Sequence, residues 1–126
     1  MSAGVVVSWP LIEAVLDGID LQAEMARGFI EYSRGDCVIP PVGELLIEEE
    51  PRGEVHIKYG YVRGGDTYVI KIASGFPGNT ALGLPTSNGM MLLFDTTTGV
   101  LKRALLEEGR LTDIRTAAAG ALAATR

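Results

Sequence analysis

The sequence predicts an α+β fold, and three observations carry that prediction. Apolar residues recur at helical spacing in the first third, period-two alternation governs the middle, and an alanine-rich helical segment closes the chain. At 126 residues the chain fits one domain spanning 1–126, and a chain of this size buries roughly two thirds of its unfolded surface.

Two helices come first, at about Pro10–Leu16 and Leu21–Ser33. In the second, Leu21, Met25, Phe29 and Ile30 share a face. Gly35 and Pro40-Pro41 end the helical region. "VGELLIEE" reads as a short strand and a candidate edge. "EVHIKYGYV" and "TYVIKIA" flank "RGGD", a hairpin signal because Gly-Gly supplies the positive φ of a tight turn. After the loop "SGFPGNTALGLPTSNG", the apolar run "MMLLFD" predicts a strand buried on both faces. "TTTG" turns the chain, and "VLKRALLEE" fits a strand or a helix. The last helix starts near Leu111 with Thr112 as cap and Asp113 at its positive end. Its run Ala117-Ala118-Ala119-Gly120 has so little bulk that the helix is expected to lie very close to another element.

Composition excludes several classes. A net charge of −5 argues against nonspecific nucleic-acid binding. Much of the acidity sits in "GELLIEEEPRGE", which reads as a solvated edge or loop. One cysteine rules out an internal disulfide, and one histidine makes a protein-only metal cage a poor fit. Cys37 reads as a small buried hydrophobe, and His56 as a structural or site-lining residue. The start "MSAGVVVSWPLIEA" has no basic leader, and no apolar run reaches membrane-spanning length, so the expected compartment is the cytoplasm. A hydrophobic share of 47% exceeds what one small sheet needs and predicts a homodimer.

The hairpin register follows from its pattern. If Gly64-Gly65 form the turn, Tyr61 faces Tyr68, Tyr59 faces Ile70, and Ile57 faces Ile72, giving one apolar face. The same register sets Lys58 opposite Lys71 on the other face, where like charges are unfavourable. Two readings fit: a carboxylate or phosphate site, or two lysines reaching past an exposed sheet into solvent. Arg115, expected in the first turn of the last helix, suits carboxylate recognition, yet on position alone it reads as a surface arginine paired with Asp113 or Glu108. "SGFPGNTALG" lacks the ending of a phosphate loop, and no Gly-x-Gly-x-x-Gly occurs. Ser74, Ser87 and Cys37 have no histidine at a suggestive spacing, which leaves nucleophilic catalysis unsupported.

Three stretches, "YVIKIASGFPGN", "GLPTSNGMMLLFDTTTG" and "LTDIRTAAAGALAA", together resemble the ornithine cyclodeaminase/μ-crystallin family. The resemblance runs from about Cys37 to Arg126 and is weaker in the N-terminal helices. It implies a substrate-binding and dimerisation domain, followed in complete family members by a Rossmann domain for NAD(H) or NADP(H). It further implies that Lys71 is the catalytic residue, contacting substrate near its carboxylate and reacting amine. Arg115 would hold the carboxylate and border the cofactor, Thr86 would lie near the nicotinamide, and Lys58 would belong to the same pocket. Where many members carry an arginine after the Pro-rich turn, this chain has Gly43 and Glu44, and Lys58 is a candidate replacement for the lost charge.

The expectation is therefore the substrate-binding part of an NAD(P)-dependent cyclodeaminase, ketimine reductase or amino-acid dehydrogenase. Its partners would be a small amino acid or imine and a separate or missing Rossmann domain, with no tight cofactor binding and no activity by this chain alone. The alternative is a stand-alone, non-enzymatic module that binds an amino acid or keto acid, or dimerises.

Overall fold

The computed structural model describes residues 5–124; Arg126, at the expected end of the closing helix, lies outside them. A short strand β1 (Val6–Ser8) leads into α1 (Trp9–Leu16), and α2 (Leu21–Ser33) follows after a tight turn. Pro10 suits the first turn of α1, where its missing N–H has no intrahelical partner. Asp20 caps α2 by accepting a hydrogen bond from Ala23 N–H at 3.1 Å.

Six further strands complete the sheet: β2 (Cys37–Val38), β3 (Gly43–Ile47), β4 (Gly53–Val62), β5 (Thr67–Gly75), β6 (Ser87–Asp95) and β7 (Leu101–Leu106). Their spatial order is β1-β7-β6-β5-β4-β2, with β3 also lying along β4. Every pairing is antiparallel except that of β1 with β7. The segment "VLKRALLEE" thus resolves to a strand. β2 and β3 share one side of β4 and are separated by Ile39-Pro40-Pro41-Val42, because proline has no N–H to give to the ladder.

The β4–β5 hairpin turns through residues 63–66, and Gly65 N–H donates to Val62 O at 2.8 Å. Only Gly64 of the glycine pair uses the left-handed region, at φ 80°. Ladder partners are Tyr61–Tyr68, Tyr59–Ile70, Ile57–Ile72 and Lys58–Lys71. Tyr68 stacks on Phe94 of the next strand with ring centroids 4.9 Å apart.

α3 (Arg110–Ala124) closes the described chain and packs along α2 through its small side chains. α1 instead sits over β1 and β7. Arg110 stacks its guanidinium 5.0 Å from the Trp9 ring, joining the start of α3 to α1. Trp9, Ile12 and Ala118 are the buried apolar side chains among the described residues.

Four sequence expectations are corrected. The "MMLLFD" run is half-buried, since among the described residues no helix packs broadly on β6. Cys37 is half-exposed because β2 lies on the sheet edge. The loop after β5 contains a 3-10 helix over Pro77–Leu82, started by Pro77 and ended by Gly83 at φ 70°. Finally, α3 begins at Arg110 rather than at a Thr112 cap, so Arg115 stands in its second turn. The physical reason is Glu107, whose carboxylate accepts from Leu111 N–H at 3.0 Å and so does the capping from three residues before the helix.

Candidate functional site

Alternation along the strands sorts the sheet into two unlike faces. One carries Ile57, Tyr59, Tyr61, Tyr68, Ile70, Ile72, Leu92 and Phe94. The other carries Glu44, His56, Lys58, Lys71, Ala73, Gly89, Met91 and Leu105. The first is apolar and the second holds the ionisable groups.

Lys71 stands at the centre of the polar face, half-buried on β5, with exposed Lys58 opposite it on β4. Its ammonium is held below the usual lysine value of 10.5, chiefly by burial, then by the positive charges of Lys58 and Arg115, with Glu107 acting in the opposite sense. Lys58, Lys71 and Arg115 therefore form one electrostatic cluster, drawn from β4, β5 and α3. Arg115 is exposed, and Glu108, one of the two acidic partners the sequence offered for it beside Asp113, pairs instead with Arg110 at 3.5 Å.

The adjacent ladder row, Glu44–His56–Ala73–Gly89, places an imidazole beside the lysines. His56 Nε2 lies 3.0 Å from Glu44 Oε2, across the β3–β4 pair. His56 and Ala73 line a small cleft with Asn88, Thr112 and Asp113. Thr112 Oγ1 is buried without a hydrogen-bond partner among the described residues.

Thr86 is not in that cleft. It lines a larger one, about 900 Å³, with Phe76, Pro77, Thr80, Leu46 and Arg52. The two clefts adjoin, because Glu54, Gly75 and Ser87 border both. Thr86 also fixes the loop beneath it, its carbonyl accepting from Phe76 N–H at 2.8 Å.

Two features escaped the sequence. The Glu44–His56 pair needs the β3–β4 register, which the proline-broken edge concealed. Glu107 stood out in no motif, being only the end of "VLKRALLEE", yet it is fully buried. The signal available was its neighbour Gly109, whose φ of 78° marks a turn directly before a helix.

No group of described His, Cys, Asp or Glu residues is arranged to hold a metal ion. A cluster of cations at the base of a helix can instead receive a carboxylate, with the guanidinium giving two parallel hydrogen bonds and the lysines a diffuse positive field.

Comparison with known proteins shows what the chain is similar to. The sequence model of the ornithine cyclodeaminase/mu-crystallin family matches residues 11–125. A Rhizobium meliloti protein named as a dehydrogenase is 52% identical over 121 residues, covering 92% of this chain and 36% of the relative. A Thermococcus litoralis Delta(1)-pyrroline-2-carboxylate reductase, solved in complex with NADH and L-proline, superposes with a TM-score of 0.83 at 26% identity, covering 92% of this chain and 35% of that one. A lysine cyclodeaminase, solved for its recognition of L-lysine, L-ornithine and L-2,4-diamino butyric acid, gives 0.73 at 28% identity, over 90% and 35% of the two chains. The chain thus spans about a third of the length of the relatives it matches.

Proposed function

Because the chain belongs to the ornithine cyclodeaminase/mu-crystallin family, we propose that it is the substrate-binding and dimerisation part of an NAD(P)-dependent enzyme acting on a small α-amino acid or its cyclic imine. The observation that carries this reading is the cationic cluster of Lys58, Lys71 and Arg115 on the polar face of the sheet. Three cations gathered around a half-buried position repel one another until an anion joins them. A substrate carboxylate supplies that anion.

In this reading Arg115 clamps the carboxylate, and Lys71 lies beside the carboxylate and the reacting nitrogen. The lowered proton affinity of Lys71 suits a group that gives or takes a proton there. Lys58 adds charge without burial and substitutes for the arginine that many family members carry. Thr86, on the rim of the adjoining cleft, would help to hold the nicotinamide end of the cofactor. When bound, NAD(H) or NADP(H) supplies or accepts the hydride. In the cyclodeaminase form of the reaction the amino acid is oxidised to an imine, cyclises with loss of ammonia, and is reduced to a proline-type product.

The apolar face favours a homodimer. Ile57, Tyr59 and Tyr61 are 38%, 42% and 38% exposed on one continuous surface, more apolar area than a monomer ordinarily leaves in water.

Calorimetric titration of the chain with L-proline and with planar pyrrole-2-carboxylate tests the site. Binding that weakens at least about tenfold in both Lys71→Met and Arg115→Ala is expected, since a hydrogen bond to a charged group contributes roughly 1.5–3 kcal/mol. Unchanged affinity in both variants would sink the carboxylate-site reading.

A further inference from the structure

Glu107 is wholly removed from solvent, a costly position for a carboxylate without compensation. Its Oε2 accepts from Leu111 N–H at 3.0 Å. Its Oε1 is buried with no hydrogen-bond partner among the described residues.

Gly89 shows where that free oxygen lies. A Cβ built on Gly89 would stand 3.2 Å from Glu107 Oε1. Gly89 pairs with Ala73, two residues from the Lys71–Met91 pair, so its Cβ would project to the same side of the sheet as Lys71. The carboxylate oxygen therefore rests over the sheet on the lysine side, in room left by a glycine and beside a small alanine. The same Cβ would lie 2.5 Å from Ile72 O, which makes this opening hard to fill.

We propose that Glu107 is a positioning residue for Lys71. Its free oxygen is the resident counter-charge that keeps the lysine ammonium charged and aimed into the site, and its other oxygen anchors the turn from which α3 carries Arg115. One buried carboxylate thus links the two groups assigned to substrate binding; its catalytic meaning rests on that assignment. Glu107 offsets part of the repulsion among Lys58, Lys71 and Arg115 and leaves the cluster net positive, so a substrate carboxylate is still attracted. The direction in which Glu107 acts on Lys71 agrees with this arrangement.

Other charged or titratable groups on this side of the sheet, among the described residues, are Glu54, His56 and Lys58 on β4, Glu44 on β3, and Arg115 and Asp113 on α3. The test isolates Glu107 from them by following the Lys71 ammonium itself, through its side-chain NMR signals in the full chain, across alkaline pH. Glu107→Gln should lower the Lys71 midpoint by about one unit or more, and Glu107→Asp, which keeps the charge, should restore part of the shift. A folded Glu107→Gln protein with an unchanged midpoint overturns the proposal. A second readout needs no variant: the Leu111 amide bonds to the same carboxylate, so its resonance should move along the Lys71 titration curve. A Leu111 amide that stays fixed through that curve overturns the proposal as well. Neither readout involves substrate, whereas L-proline titration tests the carboxylate site separately, so the two ideas fail by different measurements.

Discussion

Lys58 and Lys71 are directly opposed across the β4–β5 ladder, two like charges at a cross-strand position where the strands on either side are otherwise matched. Such a pair works against the sheet, and in the proposed carboxylate site it marks the face that receives the anion. Lys58→Met should therefore stabilise the unliganded fold by about 0.5 kcal/mol while weakening carboxylate binding. Denaturant unfolding and calorimetry on the same samples check both signs. A variant that is less stable and binds no more weakly would show that Lys58 plays another part.

The lowered proton affinity of Lys71 gives a pH dependence with a definite sign. Between its folded midpoint and the usual 10.5, the unfolded chain binds the lysine proton and the folded one does not. Stability should therefore rise as pH climbs through that window, and the rise should vanish in Lys71→Met. Carboxylate ligands favour the charged lysine, so their binding should take up protons in the same window. Calorimetry in two buffers of different ionisation enthalpy measures the uptake, and proton release on binding would contradict this assignment of Lys71.

Gly89→Ala should be among the most damaging single changes in the sheet. The added carbon meets Ile72 O at 2.5 Å and Glu107 Oε1 at 3.2 Å, so backbone or a buried carboxylate must move. Overpacking of this kind costs about 1–3 kcal/mol, read as a lower denaturation midpoint. A midpoint equal to that of the unchanged protein would mean the two strands separate more easily than their ladder suggests.

If copies associate through the tyrosine face, Tyr59→Lys should convert the dimer to monomer without unfolding it. Sedimentation equilibrium decides the matter, with circular dichroism confirming retained secondary structure. A dimer that persists in the folded variant would place the contact elsewhere.

The sequence was most informative where the local pattern and the tertiary environment agree. The β4–β5 register is legible because Ile57, Tyr59 and Tyr61 must meet apolar partners, and a slip by one residue would mix the faces. Helix α2 is legible from its spacing and from Asp20 ahead of it. The start of α3 was misplaced because Thr112 is a common capping residue, whereas the group that does the capping, Glu107, is rarely found buried. β1 was missed because three residues carry no period, and its parallel partner β7 lies nearly a hundred positions away. Of the candidate site, the lysine pair could be placed from spacing, whereas the nearness of Arg115 and Glu107 to it depends on how α3 returns over the sheet. No local pattern encodes that return.

The broken strand formed by β2 and β3 has a consequence for how copies of this chain meet. An open sheet border offers a row of free N–H and C=O groups on which any other strand can continue the sheet, the first step toward fibrous aggregates. Here Pro40 and Pro41 remove donors from the middle of that row, and the opposite border is the three-residue β1. Among the described residues, both borders thus carry a feature that disfavours sideways growth of the sheet from chain to chain. Two prolines and one very short strand leave the broad face of the sheet as the surface on which the proposed pairing of copies would have to occur.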